Sequence, residues 1–251
     1  LGYVHELGLG TPIDLTKAAQ WYEKSLAKGE TGLAMLQLGQ MRMLGRGGPQ
    51  DLKRAYALLR PLADLQVPRA ELHVGAMLAN GNGVEQNKAE GGKFLMEALL
   101  HGESVAIGVL VNLELEGANL PPDKEGNSVL HYAAVFGNTA SVEALLGKGA
   151  PVNMTNSGGA TPLHLVARTD NGKTLQALLT KGADVNAKTK LGLTPLHFAA
   201  SEGQVQQVRA LIGSGGDVNA RTPDGHTPLA IAVAQGHEDV ATILRKAGAK
   251  E

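Results

Sequence analysis

Ser128-Val129-Leu130-His131 returns as Thr161-Pro162-Leu163-His164, as Thr194-Pro195-Leu196-His197 and as Thr227-Pro228-Leu229-Ala230. The copies begin at 128, 161, 194 and 227, a step of 33 residues each time. A fixed period of that length marks a stack of repeats, each too small to bury its apolar face alone. In Thr161-Pro162 the proline has its φ preset for a first helical turn and no useful N–H to lose, while the threonine hydroxyl caps the orphan donors beside it. A helix therefore starts at every marker. Leu163, Ala167 and their counterparts give it a small, close-packing face, and Leu178-Leu179 gives a second helix an apolar ridge against the next repeat. Gly149, Gly182, Gly215 and Gly248 keep the same beat and end the second helix where φ is expected above zero. Asn153, Asn186 and Asn219 follow the first three of them. The chain then turns outward into a hairpin-like finger.

These markers resemble the ankyrin family, with four repeats over 123–251. Two departures from the pattern are informative. Asp170 stands where Gly137, Gly203 and Gly236 form the turn between helices elsewhere, with Gly172 two residues on, so that turn is expected to be reshaped. In the fourth copy Ala230 replaces the histidine and Arg245 replaces the second leucine, as an outer cap with no further neighbour requires.

Residues 1–117 keep a different period. Gly8-Leu9-Gly10, Gly45-Arg46-Gly47 and Gly81-Asn82-Gly83 lie 37 and 36 residues apart, and Leu1-Gly2, Leu38-Gly39 and Val74-Gly75 hold the same offsets. Ala18, Ala55 and Gly91, each followed three residues later by Trp21, Leu58 or Phe94, place an apolar stripe on a second helix. The first copy, with Asp14, Lys17-Ala18, Trp21-Tyr22 and Gly29, is similar to the SEL-one-like repeat, a helix-pair relative of the tetratricopeptide repeat. Three such repeats are expected, and Ser104 to Glu116 reads as the first helix of a fourth. Extrapolating the period places the first residue shown inside a helix. Pro121-Pro122 breaks the chain at a junction over 118–122. The expected fold is all-α: an α-solenoid of SEL-one-like helix pairs continuing into an ankyrin stack over a packed junction.

With 23 basic against 24 acidic residues the net charge is −1, so no global field attracts nucleic acid or an anionic membrane. The absence of cysteine removes disulfides and thiolate metal sites. It suits the cytoplasm and equally an exported bacterial protein; the periplasm or envelope is preferred, with the cytoplasm as the alternative. No run of 18 apolar residues exists to insert into a membrane.

Catalytic readings find no foothold. The Gly-x-Gly loops lack the full phosphate-binding pattern, and their periodic spacing makes them repeat loops. His131, His164 and His197 sit one repeat apart, roughly 10 Å in a helix stack, too far for one metal ion bound at about 2 Å per ligand. Glu114 and Glu116, two apart on a helix, do not face each other as an acid/base pair would. No enzyme, metal or cofactor is expected.

What the ankyrin resemblance implies is a protein partner held on fingertips and on the exposed face of the first helices. In this chain those places include Lys124, Glu125, Asn127, Val135 and Phe136, then Arg168, then Lys190, Leu191, Leu193 and Glu202, and His226. Val135, Phe136, Leu191 and Leu193 are apolar without a need from the fold, and exposed apolar clusters mark interaction sites. Phe136 is the expected anchor, with Arg168 and Glu202 supplying charged specificity. The SEL-one-like arm would offer Gln37, Gln40 and His73, with Met41 and Met77 as core filler. The mixture of the two families is similar to bacterial adaptor and immunity proteins. The implied role is to neutralise a toxin enzyme, such as a lipase delivered by type VI secretion, with an envelope scaffold or a host-directed effector as alternatives. The protein is expected to be a monomer on its own.

Overall fold

Helices account for the repeats of both periods. The computed structural model describes residues 1–29 and 32–250, over which there are 15 helices and no strand. It is an α-solenoid that divides into two units, Leu1–Leu113 and Glu114–Glu251.

The first unit holds α1 (Gly2–Leu7), α2 (Leu15–Ala27), α3 (Gly32–Leu44), α4 (Leu52–Asp64), α5 (Pro68–Asn80) and α6 (Lys88–Leu100), and α7 (Ala106–Leu115) spans its boundary. Asp14, Asp51 and Asn87 cap the second helices, each side chain accepting from the backbone N–H three residues on. Leu38-Gly39 and Val74-Gly75 are places of close approach. A Cβ on Gly39 would lie 2.7 Å from Leu59, and one on Gly75 2.8 Å from Leu95 and 2.9 Å from the Gly91 carbonyl. Only glycine lets the two helices of a pair come that near. The last glycine of each Gly-x-Gly loop serves the stack differently. Gly47 and Gly83 have φ of 71° and 75°, and their missing Cβ atoms would sit 2.2 Å from the Leu15 oxygen and 2.3 Å from the Leu52 carbonyl carbon. Each loop thus lies against the start of the second helix one repeat earlier. Met41 and Met77 are buried in apolar clusters of this unit, Met41 around Leu38 and Met77 around Val74.

The second unit repeats a shorter pair four times: α8 (Val129–Phe136) and α9 (Thr139–Gly147), α10 (Pro162–Val166) and α11 (Gly172–Thr180), α12 (Pro195–Ser201) and α13 (Val205–Gly213), α14 (Pro228–Ala234) and α15 (Glu238–Lys246). At Asp170 the turn is reshaped as expected: α10 ends after five residues, the Thr169 hydroxyl donates to the Val166 carbonyl, and Asn171 caps α11. Gly149, Gly182, Gly215 and Gly248 have φ between 86° and 93°.

Two side-chain ladders tie successive pairs. In the first three pairs, the buried Nε2 of His131, His164 and His197 reaches the carbonyl of Ala160, Leu193 and His226 in the next finger at 3.1–3.2 Å. A carbonyl only accepts, so Nε2 carries the hydrogen and Nδ1 is left to accept the backbone N–H of Ser128, Thr161 or Thr194. Burial also pushes all three imidazoles below their ordinary pKa, which keeps them neutral in this role. In the other ladder, Asn153, Asn186 and Asn219 donate through Nδ2 to the carbonyls of Gly182, Gly215 and Gly248, and accept through Oδ1 from the N–H two residues beyond.

Candidate functional site

The fingers are closed by short polar side chains one period apart. Asp123, Asn156, Thr189 and Thr222 each donate their backbone N–H to the carbonyl four residues on, and their side-chain oxygens accept from the N–H of that same residue. Gly126, Gly159, Gly192 and Gly225, with φ of 73–84°, complete each turn. Neighbouring fingers are then joined by backbone: the Ser157 N–H donates to the Glu125 carbonyl at 2.7 Å and the Lys190 N–H to the Gly158 carbonyl at 3.0 Å. The next residue in that series is Pro223, which has no N–H, so the bond is missing between the third and fourth fingers.

A groove of ≈ 580 Å³ opens beside that interruption. Phe198 and Ile231, from the inner faces of α12 and α14, lie half-buried in its lining. Leu191, 71% exposed, and the half-buried Leu193 line it from the third finger, and Asp224 and His226 from the fourth. Phe198 is held from two sides. The His164 ring meets it edge-on at 5.2 Å between centroids, and the Arg168 guanidinium lies over it at 5.9 Å. Arg168 in turn donates from Nε and Nη2 to one oxygen of Glu202, at 2.9 and 2.6 Å. The helices behind fix these positions: Gln204 Nε2 donates to the Arg168 carbonyl and Gln207 Nε2 to the Thr169 carbonyl, and His237 Nε2 donates to the Ser201 carbonyl at 3.0 Å.

Of the residues singled out in the sequence, Arg168, Leu191, Leu193, Glu202 and His226 therefore meet in one place. Arg168 and Glu202 do not arrive as separate charges for a partner, because each neutralises the other. Val135 and Phe136 do not line the groove. Phe136 is 43% exposed and stacks on Tyr132 in its own helix, with ring centroids 6.3 Å apart, while Val135 is half-buried. Lys124 and Glu125 are exposed on the first finger and Lys190 on the third. Asn127 is drawn into the scaffold: its N–H and Nδ2 donate to the Asp123 carboxylate, and its Oδ1 accepts from Asn156 Nδ2. In the first unit Gln37 is half-buried, and Gln40 Nε2 lies 3.2 Å from His73 Nε2, binding α3 to α5. Burial, with Arg69 adding to it, lowers the His73 pKa.

Phe198 and Ile231 escaped the sequence reading. They stand four residues after the Thr markers, where Tyr132 and Leu165 also fall, and an apolar residue at every copy of a position reads as core. Among the described residues no three His, Asp or Glu side chains gather as a metal site, and no helix is long and apolar enough to cross a membrane.

A family model for ankyrin repeats matches the chain three times, over 71–156, 95–189 and 163–251, and a Sel1-repeat model matches 1–30 and 32–67. The first ankyrin match begins within α5, whose 13 residues and 36-residue spacing follow the pairs before it. No curated protein matches the chain.

Proposed function

The chain belongs to the ankyrin-repeat family, and we propose that its second unit grips a protein partner in the groove between the third and fourth fingers. Ankyrin and Sel1 repeats make it a protein–protein interaction module. The observation that carries the choice of site is Leu191, a large apolar side chain left 71% exposed at the lip of a groove that also holds Phe198 and Ile231. Burying Leu191 alone would contribute about 2 kcal/mol to a complex. We read the protein as a non-enzymatic inhibitor of the immunity type, which covers a toxin enzyme and so blocks it. The pairing of Sel1 with ankyrin repeats supports that role by its similarity to bacterial adaptor and immunity proteins.

The test is co-expression with a toxin enzyme, sought first among the genes that flank this one. Cells carrying both should survive, and should die when the chain carries Leu191→Asp in a form that still folds. Survival with that variant removes the groove from the mechanism, and failure of the parent chain to protect removes the immunity role.

A further inference from the structure

The unbalanced charge of the groove tells what kind of segment it would take. Its lining carries one permanent cation, Arg168, against two carboxylates, Glu202 and Asp224. The cation is already committed, with both Arg168 donors on Glu202 Oε1 and its guanidinium over the Phe198 ring. Among the described residues Asp224 has no cationic partner, although it is exposed at the tip of the fourth finger, where a long side chain could reach it. Apolar surface and an uncompensated carboxylate thus stand side by side. Taking the groove as the place where a protein partner binds, we propose that its ligand is a segment presenting a large apolar side chain next to a lysine or arginine. The apolar side chain enters between Leu191, Phe198 and Ile231, and the base pairs with Asp224. An acidic segment is disfavoured by that one unpaired carboxylate, so the groove selects by repulsion as well as attraction.

Asp224 is a clean place to test this. The same finger position holds Glu125 and Leu191 in other repeats, so the turn tolerates long, charged and apolar side chains, and Asp224→Lys keeps it. The experiment selects a displayed random peptide library against the full chain, then measures chosen labelled peptides by fluorescence anisotropy, with circular dichroism as the check on folding. The expected winners carry a large apolar residue beside a base and bind about tenfold more weakly to Leu191→Asp. Replacing their base by glutamate should weaken them about threefold or more on the parent chain, and Asp224→Lys should reverse that preference. Winners that need Leu191 but carry an acid or no charge overturn the basic-apolar ligand and leave the groove as the binding site. A selection that yields no peptide dependent on Leu191 overturns both. Self-association in light scattering that disappears in Leu191→Asp would give the groove to a second copy of the chain, and would also overturn the proposal.

Discussion

Arg168 and Glu202, one repeat and one residue apart, are joined by two hydrogen bonds that converge on a single carboxylate oxygen. Their side chains keep 54% and 36% of their exposure, so the pair is wet and screened. Arg168→Met should therefore change the free energy of unfolding by less than about 1 kcal/mol in urea titration, the range of exposed ion pairs. A larger loss would mean that the guanidinium is needed to hold Phe198 in place.

Leu191 and Phe136 are both exposed apolar residues of the second unit, but only Leu191 lines the groove. Against a bound partner, Leu191→Asp should cost about 2 kcal/mol or more, and Phe136→Asp should cost less than about 0.5 kcal/mol. Isothermal titration with both variants checks this. The reverse order would move the binding face to the first repeat.

Gly10 and Gly47 have nearly equal φ, 74° and 71°, but a Cβ on Gly10 meets nothing within 4 Å whereas one on Gly47 strikes the Leu15 oxygen. Gly10→Ala should lose only the backbone preference, about 1 kcal/mol. Gly47→Ala adds a backbone clash to the same strain and should cost about 3 kcal/mol or prevent folding of the first unit. Thermal unfolding of the two variants side by side measures the difference.

The buried histidines set a pH dependence. His131, His164 and His197 are held neutral in the folded state, with pKa values below the unfolded value of about 6.5. Below that pH the unfolded chain binds protons that the folded chain refuses. Stability is thus fully present above about pH 7 and is lost as pH falls through 6.5 toward the folded values. Urea unfolding followed at several values between about pH 7.5 and 5.5 should show the midpoint falling, a window in which carboxylates barely titrate. A midpoint that rises on acidification would contradict the neutral tautomer.

The scaffold was legible wherever packing leaves no chemical choice. Gly39 and Gly75 repeat because an added Cβ would lie under 3 Å from the facing helix, and His131, His164 and His197 repeat because each links its own helix start to the next finger. The two helix periods and the expected reshaping at Asp170 followed from such constraints. The groove was legible only in part. Leu191 and Leu193 stood out because an apolar fingertip is unexplained by the fold. Phe198 did not, because its position is apolar in all four repeats, and only the cover supplied by neighbours separates the buried Tyr132 from the half-buried Phe198. The mutual neutralisation of Arg168 and Glu202 was hidden for a related reason. A spacing of one repeat makes two residues neighbours without saying whether their side chains turn toward each other or outward.

Pro223 gives the groove a mechanical character. Behind it the loops that carry the third and fourth fingers are stitched by Asn186, which donates to the Gly215 carbonyl at 3.0 Å and accepts from the Asp217 N–H at 2.8 Å. At the fingertips the corresponding stitch is absent, because a proline stands where the donor would be. The two fingers that flank the groove are therefore pinned by hydrogen bonds at the base, while at the tip Pro223 meets Gly192 by packing, so close that a Cβ on Gly192 would lie 2.7 Å from its ring, and the seam behind the groove's mouth is stitched on one side and merely butted on the other.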